Sequence, residues 1–204
     1  MGKVNVYLPD ELEAAVRDAG LAISPICQAA LRDAVDEVHR IRSTGRGGYT
    51  VELTAVLDEV TATARGPVDA LELAGGVLRH GDCTGARVLT ALGVELPTPE
   101  AARRTPAAER GALTDDALDV LAAAYRLALE LRHPAVGTEH VVLALPGHSP
   151  FFADLFAALG IDDRALRQQL ARHRAEQTTD DVVERVEREL GRLAAEVARL
   201  KRDR

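Results

Sequence analysis

Lys3, Asn5 and Tyr7 alternate with Val4, Val6 and Leu8 at the front of the chain, in KVNVYLPDEL. A period of two is that of a strand with one buried face and one free face. Val4, Val6 and Leu8 would then face a core, leaving Lys3, Asn5 and Tyr7 outward. A two-stranded ribbon fits the DNA major groove, and there Lys and Asn are side chains that read guanine and adenine edges. Further on, Ser24 stands immediately before Pro25 in AISPICQAAL. A serine N-cap with proline at the first helical position opens a helix whose backbone N–H groups suit a phosphate. Lys3, Asn5, Tyr7 and Ser24 are therefore the candidate DNA-binding residues.

Other reactive side chains are less suggestive. His39, His80, His133, His140, His148 and His173 are scattered without metal-ligand spacing, so neither a metal nor another cofactor is expected. Cys27 and Cys83 are too few and too far apart for a disulfide scaffold, form no CxxC pair, and are expected to be buried thiols. Ser149 lies near His148 and Asp154, but a loop serine before Pro150 has neither a nucleophile elbow nor an oxyanion turn. No GxxxxGK[ST] occurs, and the length leaves too few residues for an ATPase module. An enzyme is not expected.

The elements that must position these residues are mainly α-helical. Apolar residues make up 47% of the 204 and aromatic ones only 3%, so the core must be built from Ala, Leu and Val, which suits closely packed helices. A net charge of −7 argues against broad nonspecific binding to nucleic acid while leaving room for a local basic site. No apolar run has signal-peptide or membrane-span length, so a cytoplasmic protein with no membrane partner is expected.

The chain divides into a strand-helix-helix head over 1–41, a linker RSTGRGG over 42–48, a helical region over 49–173, and a last helix over 178–204. Within the helical region, 49–96 and 112–173 repeat one design, separated by a Pro-bearing connection. GARVLTALGVE in the first half answers FFADLFAALGID in the second, each with a glycine (Gly93, Gly160) suited to a helix C-cap. Thr114, followed by Asp115 and Asp116, fits an N-cap with favourable charge in the first turn. In the last helix Val183, Val186, Leu190, Leu193, Val197 and Leu200 follow the a/d spacing of a coiled coil, or form a stripe that folds back onto the domain.

A lone strand leaves its ladder groups unmet, and about forty residues cannot bury enough surface alone. Two copies of the head can: their strands pair and their apolar residues cover four helices, which predicts a homodimer. The strand, LPDEL and the Ser-capped second helix resemble the ribbon-helix-helix family, particularly the DNA-binding half of CcdA-type antitoxins. That resemblance implies an operator DNA as partner. Residues 1–48 carry six basic residues against seven acids, so phosphate affinity must come from placement, and a head that only dimerises is the alternative.

VGTEHVVLAL (136–145), with LTDDALDVLAAAYRLALELRHPA before it and LGIDDRALRQQL after it, closely resembles the N-terminal substrate-binding domain of Clp unfoldases, the ClpC type above all. The resemblance implies an all-helical double-repeat domain, here without its motor. It further implies that Glu139 contacts the guanidinium of phosphoarginine and Thr114 lies at the phosphate end. In the first repeat Thr50 is kept, but Leu71 replaces the glutamate. The plainer reading is that Glu139 and His140 merely begin a helix, with Glu favourable in its first turn. Some natural cyclic peptides bind the family domain, but Leu118 and Ala122 replace polar positions used there.

Together these readings predict a dimeric transcriptional regulator, an autorepressor, whose Clp-type domain senses a peptide, a phosphoarginine-marked protein or a Clp-directed small molecule. A stand-alone decoy or adaptor of the Clp protease, or an antitoxin, is the alternative.

Overall fold

The computed structural model describes residues 6–96 and 110–173. Eight helices are bounded within these residues: α1 (Asp10–Asp18), α2 (Ile23–Thr44), α3 (Val51–Thr63), α4 (Ala70–His80), α5 (Thr84–Ala91), α6 (Asp115–Glu130), α7 (Thr138–His148) and α8 (Pro150–Ala158). A further helix, α9, starts at 163 and is described through 173. The mainly helical expectation is met. The last helix over 178–204 lies outside the described residues.

The repeat is visible in how each half starts and stops. Thr50 and Thr114 occupy the N-cap positions of α3 and α6. Gly93 and Gly160, both at φ 68°, follow α5 and α8 in the left-handed conformation that glycine adopts without a Cβ clash. After each, the next residue closes the same six-residue ring: Val94 N–H donates to Leu89 O at 3.0 Å, and Ile161 N–H to Phe156 O at 2.8 Å.

The halves are tied by two short parallel bridges, Tyr49 with Val136 and Val68 with Leu113. Each joins the segment entering the first helix of one half to the segment entering the middle helix of the other. Thr50 N–H donates to Val136 O and Val136 N–H to Gly48 O, both at 2.9 Å; Val68 N–H donates to Ala112 O at 2.8 Å and Thr114 N–H to Val68 O at 3.0 Å. The exchange makes the two starts mutually dependent, and α6 and α7 pack centrally between α2, α4, α5 and α8. Val56, Val60, Leu73, Leu121, Leu145, Phe152 and Phe156 fill one continuous core.

The head departs from expectation in three places. No strand forms at 6–8; Tyr7 is 96% exposed and Val6 55%, while Lys3 and Asn5 lie outside the described residues. The physical reason is that the described residues offer it no second strand to pair with. Second, Ser24 is not the cap of α2, because the helix begins at Ile23 after Ala22, and Ser24 Oγ instead accepts from Gln28 Nε2 at 3.2 Å. Pro25 still sits in the first turn, where its missing N–H has no intrahelical partner to lose.

Third, RSTGRGG is not a loose linker. Helix α2 continues through Thr44 and ends on Gly45 at φ 65°, whose N–H donates to Ile41 O at 2.8 Å. Ile41 is fully buried, and Arg42 pairs with Asp119 of α6 at 2.9 Å. The foot of α2 is thus part of the body, and α2 packs on α6. Cys83 is buried, whereas Cys27, on the upper part of α2, is only half-buried.

Candidate functional site

The start of α7 is the most constrained polar region of the body. Its N-cap is Gly137, whose N–H donates to His140 Nδ1 at 2.8 Å. His140 thereby does from the third helical position what Glu or Gln does in a capping box. With Nδ1 accepting, the ring proton sits on Nε2, which donates to His133 Nδ1 at 2.6 Å. His140 is fully buried, and the two rings meet edge to face.

Glu139 lies between solvent and this pair, with 13% of its side chain exposed and Oε1 3.6 Å from His140 Nδ1. Its carboxylate folds against Gly137, so a Cβ at 137 would oblige the Glu139 side chain to shift. Thr138 Oγ1 accepts from Gly85 N–H at 3.0 Å and so fixes α5 to the same turn. His133, Glu139 and His140 offer ligand atoms within 4.8 Å of one another, a cluster that the sequence spacing does not reveal. Here both nitrogens of His140 are already used, so a metal ion would have to displace Gly137 or His133.

The family resemblance groups Glu139 with Thr114; in the fold the Thr114 hydroxyl lies at the bridge to Val68, before α4. The bridge at Val136 sets the α7 start beside the α3 start, where Thr50 N–H bonds to Val136 O. Thr114 faces the other way: its hydroxyl is 3.1 Å from Val68 O and also meets the Asp116 carboxylate, rather than capping its own helix. Asp116 in turn accepts from Ala70 N–H at 3.1 Å, placing a carboxylate at the start of α4. Beyond it stands Leu71, the residue in the glutamate position, packed against the core.

The α3 start carries a built-in anion as well. Thr50 Oγ1 accepts from Leu53 N–H at 3.3 Å. Glu52 is held below the ordinary carboxylate value, first by its own backbone N–H and next by the Thr50 hydroxyl. Both helix starts therefore already hold a carboxylate where an anion is most favoured.

A separate cavity of about 730 Å³ lies where the foot of α2 meets α3 and the entry to α6; Arg46, Tyr49, Leu57, Asp58, Leu113 and Leu118 are among its walls. Ser24 is exposed on the head, far along the chain from these groups.

Residues 112–201 match the Clp repeat (R) N-terminal domain. The match falls on the second half of the chain, where the GTEH stretch leads one to expect it. The matched range starts at the residue whose carbonyl bonds Val68, and includes Thr114, His133, Glu139 and His140. No curated protein matches the chain.

Proposed function

We propose that this chain is a homodimeric DNA-binding transcriptional regulator, acting on its own gene, whose Clp-type domain senses a peptide ligand. The observation that carries the reading is the apolar face of the head. Helix α1 buries no residue, and Leu12, Leu21, Ile23, Ile26, Leu31 and Val35 are all exposed on α1, the turn after it and the upper part of α2. A face of that extent is not stable in water on a small helix pair and marks an interaction surface. A second copy, with strands paired across the two-fold axis, covers it and meets the ladder groups of 3–8 together.

On the sensing side, Glu139 supplies a carboxylate fork suited to a guanidinium. The anion at Glu52, on the helix start bridged to the α7 start, disfavours a phosphate there, so among the expected ligands an unmodified basic peptide fits better than a phosphoarginine-marked one. The 730 Å³ cavity, lined by Leu118 where the family has a polar residue, is the second place for a peptide or Clp-directed small molecule. A decoy or adaptor of Clp proteolysis is the competing reading, favoured by the near-neutral charge of 1–48.

Fluorescence anisotropy with the DNA upstream of the gene, against a scrambled duplex at near-physiological salt, separates the two. The regulator reading expects sequence-specific binding that the triple change Lys3→Ala, Asn5→Ala, Tyr7→Ala abolishes. Equal affinity for both duplexes overturns autoregulation, and no specific site in a wider DNA search either leaves the decoy or adaptor.

A further inference from the structure

Beside the buried Ile41 and the Arg42–Asp119 pair, one carboxylate closes the turn between α2 and the body. Glu37, on α2, accepts from Gly48 N–H at 2.9 Å through Oε1, a contact spanning eleven residues. Its Oε2 accepts from Arg40 Nε at 2.9 Å and from Arg40 Nη2, a two-pronged charge-assisted pair that fixes the carboxylate in place. Side chains crowd the glycines of the turn that Glu37 closes. A Cβ at Gly45 would overlap Leu113, and one at Gly47 would come within 2.8 Å of Tyr49 and 2.9 Å of Ile41. Tyr49 Oη donates to Gly45 O at 3.0 Å across the same turn.

Gly48 is also where the body takes hold. Its carbonyl accepts from Val136 N–H at 2.9 Å, and Val136 immediately precedes Gly137, the cap of α7. From the head helix to the turn that carries Glu139 there are therefore two hydrogen bonds with one residue, Gly48, between them. At the pseudo-symmetric bridge Ala112 accepts from Val68 N–H, and among the described residues what precedes it is the glycine turn at Gly111.

We propose that Glu37 is a positioning residue that latches α2 to the body and transmits displacement of the α7 start to the head. Ligand engaging Glu139 shifts Gly137 and Val136. The shift reaches Gly48 and, through the Glu37 carboxylate, α2, whose upper part carries the apolar face. Regulation by this route rests on the α7 start being a ligand site, but the latch itself can be tested without ligand or DNA. Failure to find an operator and failure of the coupling are thus told apart.

The test is residue-resolved amide exchange by NMR on the full chain, comparing the wild type with Glu37→Ala and Glu37→Gln. The expected result is exchange at least about tenfold faster at both Gly48 and Val136 in Glu37→Ala, a fall in protection corresponding to loss of about one hydrogen bond. Glu37→Gln, which keeps an amide oxygen for Gly48 N–H, shows a smaller rise at the same two amides. Val68, the equivalent amide on the other bridge, stays unchanged. Acceleration at Gly48 alone overturns transmission to the body. Equal acceleration at Val68 also overturns it, because the change would then be general loosening, and no acceleration at Gly48 overturns the latch.

Discussion

His140 is a buried side chain whose two nitrogens each answer to a named partner. Removing it strands the Gly137 N–H and the His133 ring nitrogen while opening a hole in the core. His140→Ala is expected to lower stability by about 2–4 kcal/mol, read from the urea midpoint at unchanged slope. Arg132 makes the opposite case. It sits at φ 57° just after α6, the one non-glycine residue with positive φ among those described, while Gly20, Gly93 and Gly160 hold the same conformation after α1, α5 and α8. The turn is needed because His133 N–H returns to Ala128 O at 2.8 Å, which aims His133 at His140. Arg132→Gly should therefore stabilise the fold by about 0.5–1 kcal/mol, visible as a raised melting temperature with the His133–His140 contact intact.

At the scale of elements, α5 and α7 touch at backbone distance. A Cβ at Gly85 would come within 2.7 Å of the Thr138 carbonyl oxygen, an atom that cannot step aside without moving the start of α7. Gly85→Ala is expected to destabilise by about 1–3 kcal/mol, and heteronuclear NMR shifts should move at Thr138 and Glu139 on the far side of the contact. Helix identity and the repeat are legible in the residues themselves: Thr50 and Thr114 in front of acid-bearing first turns, and Leu-Gly-aliphatic at each end. Which half meets which is not. The exchange of bridges that places Thr50, not Thr114, beside the α7 start is made by Val68 and Val136, ordinary apolar residues with no local mark. His133 and His140, seven apart and separated by a turn, likewise lack any metal-type or helical spacing that would pair them. The foot of α2 misleads for a different reason. Ser, Thr, Gly and Arg in RSTGRGG have the composition of a flexible connection, and only the burial of Ile41 and the reach of Glu37 turn it into a closed joint.

For the whole molecule, acid should act in two stages. Burial, and next the charge of Arg126, lowers the His148 pKa below its ordinary 6.5, so the folded state prefers the neutral ring. That contribution is complete above pH 6.5 and is lost as pH falls, because the unfolded chain takes up the proton more readily. Glu37 lies lower. Partial burial raises its pKa, but the bonds from Arg40 and Gly48 and the Arg40 charge outweigh it and hold the carboxyl below its ordinary 4.5. Its share persists above pH 4.5 and disappears on further acidification. Stability measured against pH should thus begin a shallow decline below about 6.5 and steepen below about 4.5. His148→Asn removes the first stage and Glu37→Gln diminishes the second. Among the described residues no single helix is long and apolar enough to cross a membrane; α7 and α8 reach that length only as a pair bent by 94°.

The reading of the molecule as a regulator depends first on a second copy closing the head. Sedimentation equilibrium of the full chain at tens of micromolar, repeated with the double variant Ile26→Glu, Leu31→Glu, addresses this directly. The account predicts twice the 21.8 kDa chain mass for the wild type and a single chain mass for the variant, with unchanged helicity of the body. A wild type that sediments at 21.8 kDa, or a variant that remains a dimer, would contradict it.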